Sequence, residues 1–189
     1  MRLTPDQVLA LIPQQKPFRF IDRLVELDDT HAVGEYTFRP DEFFYAGHFP
    51  GHPVTPGVIL TETMCQTGLV ALGIYLLGLE LPAEEVAKTV TLFTEANVEF
   101  ERIVKPGETV RVRAEKVFWR RRKLKSNVEL TLADGTPVAK GTVAGMGVGK
   151  EGVPQARAAG ESSDSNDKGV PQARAAGESS DSNDKGAAS

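Results

Sequence analysis

The hydrophobic positions along the chain follow two different periods. Val8, Leu9, Leu11 and Ile12 lie on one side of a short helix that Thr4-Pro5-Asp6-Gln7 opens as a capping box. Pro13 and Pro17 bracket a turn. Residues 18–27 then alternate with neither face purely polar, as in a strand covered on both sides. Asp28-Asp29-Thr30 turns the chain into a second alternating strand over 31–39. The pattern predicts a helix over about 56–77, apolar almost all round from Leu69, with Gly78 as its stop. A short helix follows Pro82. Four more strands are expected over 89–102, 109–120, 124–132 and 136–148, with turns at Pro106-Gly107 and Ala133-Asp134-Gly135. Tight turns imply antiparallel neighbours, and a helix apolar on every face must be wrapped. The expectation is an α+β fold, one curved antiparallel sheet around a long central helix.

The pattern stops near residue 151. Residues 152–168 recur unchanged at 169–185, with almost no large apolar side chains. Such a segment cannot bury enough surface to offset chain entropy. The expected organisation is therefore one folded domain over 1–151 and a disordered tail over 152–189. With 189 residues, 40% of them hydrophobic, the chain can build one real core. A net charge of −4 gives no support for general nucleic-acid binding. Cys65 is the only cysteine, which excludes an intrachain disulfide. The N-terminal residues do not read as a secretion signal, and the apolar run at 68–79 is too short to span a bilayer. A cytoplasmic protein with no membrane partner is expected.

Candidate chemistry gathers at 45–66. Gly47, Gly51 and Gly57 alternate with Pro50, Pro53 and Pro56, so His48 sits in a stiff, non-helical loop. Pro56 opens the helix, which puts Gly57 in its first turn and Glu62 on an apolar stretch. An imidazole, free N–H groups at a helix start and a desolvated carboxyl group are the parts of a proton-transfer site. His52 next to His48 does not make a metal site without a third ligand, and no metal is expected. Cys65 reads as a core residue, and Phe43, Phe44 and Tyr45 as core aromatics or a lid. Residues 111–125 hold eight basic side chains against one acid, Glu115. That run is either a solvated strand and turn or a dock for an acidic partner.

The central stretch resembles the β-hydroxyacyl-acyl carrier protein dehydratases of bacterial fatty-acid synthesis, the FabZ type. The resemblance rests on His48-Phe49-Pro50-Gly51, Pro53, Pro56-Gly57-Val58, Glu62 and Gln66. Pro17-Phe18, Ile21-Asp22-Arg23, 98–102 and Pro106-Gly107 are further landmarks. It implies a hot-dog fold and removal of water from a (3R)-3-hydroxyacyl thioester to give the trans-2-enoyl thioester, without a cofactor. By the same resemblance, His48 takes the C2 proton, Glu62 serves the departing hydroxyl, and the Gly57 N–H holds the thioester oxygen. Gln66, Tyr45 and Phe49 are candidates for supporting the site or lining the acyl tunnel. Arg120, Arg121, Arg122 and Lys123 are candidates for docking acyl carrier protein. The resemblance further implies a homodimer, with a trimer of dimers open, whose sites take His and Glu from different subunits. Glu62, in place of Asp, favours a plain dehydratase over the branch that also isomerises the double bond. Where the family often has His-Arg-Tyr after Pro13, this chain has Gln14-Gln15-Lys16, a segment bearing on dimer contacts or the tunnel mouth. Two rivals stand beside this reading: a hot-dog thioesterase, and a non-catalytic subunit paired with an active one.

Overall fold

The computed structural model describes residues 2–152. Helix α1 (Pro5–Leu11) starts at the capping box, with the Thr4 hydroxyl accepting from Gln7 N–H and the Gln7 side chain accepting from Thr4 N–H. Strands β1 (Arg23–Leu27) and β2 (His31–Thr37) form a hairpin. The turn between them is closed by Asp28, whose carboxylate accepts from the Thr30 and His31 N–H groups. The central helix runs from Gly57 to Glu80 in three parts: α2 (Gly57–Cys65), a π-helical turn (Gln66–Ala71) and α3 (Leu72–Glu80). Then come α4 (Ala83–Val86), β3 (Thr89–Phe100), β4 (Thr109–Arg120), β5 (Lys123–Leu132) and β6 (Pro137–Gly149), closed by a 3₁₀ turn at Lys150–Gly152. The six strands make one antiparallel sheet in the order β1-β2-β4-β5-β6-β3.

Two clusters explain why the helix is apolar on every side. Met64, Leu69, Leu72 and Leu76 pack against sheet residues including Ala114, Leu124, Val128 and Val143. Val70, Ala71, Ile74 and Tyr75 pack against Val8 and Ile12, from α1 and its C-cap, and against Ile21 and Leu24, from the start of β1 and the residues before it. The sheet covers one side and the N-terminal segment the other. Helix and sheet approach closely at Gly68, where an added Cβ would stand 2.8 Å from Val128 Cγ1. The buried Ser126 hydroxyl donates to the Gly68 carbonyl at 2.8 Å, within the π turn.

Several sequence expectations need correction. The first strand is only Arg23–Leu27, because the backbone at 18–20 bonds to the Gln66 side chain and not to a neighbouring strand. The second ends at Thr37, two residues early. Gly78 does not stop the central helix, which continues to Glu80. It is a point of close approach, where a Cβ would meet Leu3 Cδ1 at 2.6 Å. The helix Gly57–Glu80 is, by length and composition, long enough to cross a membrane, although the shorter run at 68–79 argued otherwise. Most of it is buried within the domain. Strand β3 alternates in sequence yet is mostly exposed; it lies at the sheet edge, and among the described residues β6 is its one strand neighbour. A register shift between Phe93 and Glu95 leaves Thr94 without a register partner on β6, and Leu92 and Phe93, on opposite faces of the strand, are both exposed. The tail from residue 153 onward, with its expected disorder, lies outside the described residues.

Candidate active site

His48 is held from two sides by one residue of its own loop. Its backbone carbonyl accepts from Val54 N–H at 3.0 Å, and its ring Nδ1 lies 2.8 Å from the Val54 carbonyl. A carbonyl only accepts, so Nδ1 carries the proton and a neutral ring presents Nε2 as its free lone pair. Phe49, largely exposed, stacks on the imidazole with ring centroids 4.1 Å apart. The loop is anchored below by Tyr45, which is buried and shares a 2.6 Å hydrogen bond with the Thr55 hydroxyl. Thr55 N–H in turn donates to the Val104 carbonyl at 2.9 Å. Of the roles open to Tyr45, this placement is that of a core support; it does not stand exposed over a mouth.

Pro56 is the N-cap of the central helix, with no side-chain cap, and the Gly57 and Val58 N–H groups have no backbone partner among the described residues. They point out of the positive end of the helix. The ring of Phe100, at the end of β3, lies over Gly57, whose added Cβ would meet it at 3.3 Å. Glu62 lies further along the helix, half-buried. Burial lifts its carboxyl above the ordinary carboxylate range, and a hydrogen bond from Gln66 partly opposes the rise. Gln66 Nε2 donates to Glu62 Oε1 at 2.8 Å. Cys65 is buried, with its thiol pushed up to about 12 by desolvation and by the Glu62 charge, which fits a core residue.

His48 and Glu62 share no hydrogen bond within the chain among the described residues. A cavity of about 590 Å³ lies elsewhere, lined by residues of α4, the start of β3 and the end of β6 together with Arg122. Among the described residues no group of three His, Cys, Asp or Glu side chains could hold a metal, and His52 is exposed.

The basic run of 111–125 divides into two kinds. Arg111 pairs with Glu35, Arg113 with Glu26 and Glu115, and Lys125 with Glu95. Arg120, Arg121, Arg122 and Lys123 are exposed and have no ion pair among the described residues. They form the tip of the β4–β5 hairpin, where Arg121 and Arg122 are left-handed, with φ of 50° and 61°. The strand bounds of 109–120 and 124–132 left a connection here, but its left-handed two-residue form was not legible, because Arg-Arg is not a residue pair that such turns favour. Sequence reasoning also missed the Val54 and Thr55 anchors, which are tertiary contacts with no periodic or motif signal.

A curved antiparallel sheet around one long helix is the hot-dog architecture, and the FabA-like domain model matches residues 12–142. The chain belongs to that family. A curated relative named 3-hydroxyacyl-[acyl-carrier-protein] dehydratase FabZ, from Chloroflexus aggregans, is 38% identical over 133 residues, which is 70% of this chain and 88% of the relative. Among solved structures, a chain of a dehydratase heterocomplex from Xenorhabdus doucetiae superposes with a TM-score of 0.63 at 15% identity, covering 79% of this chain and 95% of that one. A thioesterase from Haemophilus influenzae gives 0.56 at 12% identity, over 79% and 94%. At those identities the two structures speak for the fold alone.

Proposed function

We propose that this chain is a 3-hydroxyacyl-acyl carrier protein dehydratase, a hydro-lyase of fatty-acid or related acyl-chain biosynthesis. The observation that carries the proposal is the pairing of a lone-pair nitrogen with a desolvated carboxyl in one motif: His48 with Nε2 free, and Glu62 raised by burial. His48 Nε2 takes the proton from C2 of the hydroxyacyl thioester. The electron pair left at C2 forms the C2–C3 double bond as the C3–O bond breaks. The hydroxyl leaves as water with the proton of Glu62. The Gly57 N–H donates to the thioester oxygen while negative charge develops there. The imidazolium then returns a proton to the carboxylate. The reaction is redox-neutral and requires no cofactor.

The reading includes a homodimer in the cytoplasm, with His48 of one chain facing Glu62 of the other. Its support is β3, a strand of 12 residues that pairs with β6 on one side and, among the described residues, with no strand on the other, with Leu92, Phe93 and Phe100 exposed. The domain of residues 1–151 would carry catalysis, with the tail of 152–189 outside it. Acyl carrier protein, an acidic partner, would dock on Arg120, Arg121, Arg122 and Lys123, the exposed members of the basic run with no ion pair among the described residues, whereas Lys116 is tied to the Asp29 carbonyl.

The test is hydration of a crotonyl thioester followed by loss of enoyl absorbance. His48→Ala should lower kcat by about 10²–10⁴-fold. Thiol release with the enoyl group intact would favour hydrolysis, and a parent protein as inert as His48→Ala would favour a non-catalytic subunit.

A further inference from the structure

Gln66 is wholly buried, and both ends of its amide are engaged. Oε1 accepts from Phe20 N–H at 2.7 Å, while Nε2 donates to the Phe18 carbonyl and to Glu62 Oε1, each at 2.8 Å. A backbone N–H only donates and a backbone carbonyl only accepts, so the amide has one orientation. The carbonyl oxygen of a carboxylic acid accepts more strongly than its hydroxyl oxygen, so the N–H directed at Glu62 Oε1 favours that atom as the carbonyl oxygen. A protonated Glu62 therefore carries its proton on Oε2, which has no partner among the described residues. We infer that Gln66 is a positioning residue, fixing the Glu62 carboxyl with Oε2 as its free, proton-bearing oxygen and tying that arrangement to the backbone at 18–20. The inference rests on the proposed role of Glu62 as the acid.

The tie has a structural origin. Residues 18–20 sit where the alternating pattern would place strand, yet the Phe18 carbonyl and Phe20 N–H bond to one side-chain amide. The amide replaces a stretch of sheet ladder and uses its remaining N–H on the carboxyl one helical turn away. Cys65 is the titratable neighbour beside Glu62 on the same helix, and its raised thiol stays neutral. In the dimer, His48 of the other chain would face the free oxygen.

Gln66→Met keeps the side chain's length and removes all three bonds. Gln66→Glu keeps an acceptor and, when protonated, one donor. For Gln66→Met, kcat is expected to fall about tenfold to a hundredfold through lost orientation, with KM within about twofold of the parent. Glu62, followed by carboxyl ¹³C NMR with Glu62→Gln as the assignment control, should titrate at higher pH, because an N–H donor to the carboxylate has gone. Gln66→Glu should recover part of kcat on the acid side and lose it as residue 66 ionises. A folded Gln66→Met variant with the parent's kcat and Glu62 titration overturns the inference. If that variant does not fold, a parental pH profile in Gln66→Glu overturns it. Full activity in Glu62→Gln would instead remove Glu62 as the acid, and the Glu62 titration in Gln66→Met would still decide whether the tether exists.

Discussion

Glu62 and Glu35 are both carboxyl groups in partly dry surroundings, and their neighbours push them in opposite directions. Glu62 has burial against it and one amide N–H for it, and its pKa is raised. Proton binding is then stronger in the folded state, so stability falls as pH rises from the unfolded pKa to the folded one. Glu62→Gln removes that penalty. Its melting temperature should match the parent near pH 4 and exceed it increasingly toward neutral pH, while activity is lost. Glu35 is also buried, but Arg111 donates to its Oε1 from two nitrogens, at 2.9 and 2.6 Å, and Arg23 donates to its Oε2. Burial raises the Glu35 pKa, the two guanidinium groups outweigh it, and the result lies below the ordinary value. Stability from this group is present above the unfolded carboxylate pKa and is lost as pH falls through the folded one. Glu35→Gln turns an amide N–H toward one guanidinium, and is expected to cost roughly 1–3 kcal/mol at neutral pH. The deficit should shrink in acid melts; one that persists at low pH would mean the loss is packing.

At the level of elements, the β4–β5 hairpin sets local stability against charge. A two-residue loop with both residues left-handed suits Asn-Gly, and each arginine there is strained by roughly 1 kcal/mol or more. Arg121→Asn with Arg122→Gly should therefore raise the melting temperature. If the tip docks the carrier protein, the same double variant should raise KM for carrier-bound substrate and spare a small thioester analogue. Equal kinetics on both substrates would leave the arginines without a docking role. The central helix shows the complementary case. Its all-round apolarity was readable as burial, but the π turn at Gln66–Ala71 was not, since Gln-Thr-Gly-Leu-Val-Ala holds no proline and a single glycine within a helix does not specify a π turn.

At the scale of the whole molecule, the single chain is unfinished at one edge. Strand β3 combines exposed Leu92, Phe93 and Phe100 with an outer side that pairs with no strand among the described residues, and its end covers Gly57 at the helix start. Pairing with a second copy along β3 would join the dimer interface to the site. Phe93→Asp should shift the protein to monomer in sedimentation velocity and abolish dehydration together with it. An active monomer would show that one chain holds a complete site.

The sequence by itself determined what depends on local chemistry and period. The capping box, the turns at 28–30, 106–107 and 133–135, the buried helix and the alternating strands all have short-range causes, and His48, Gly57, Glu62 and Gln66 stood together in one motif. Only the tertiary structure decided what depends on distant neighbours. It placed β3 at the far edge of the sheet, and it gave residues 18–20 to the Gln66 amide, where alternation alone argued for strand. It also set the proton of His48 on Nδ1 through Val54. Hydrogen-bond partners and sheet order are properties of the packed chain, so no window of sequence contains them.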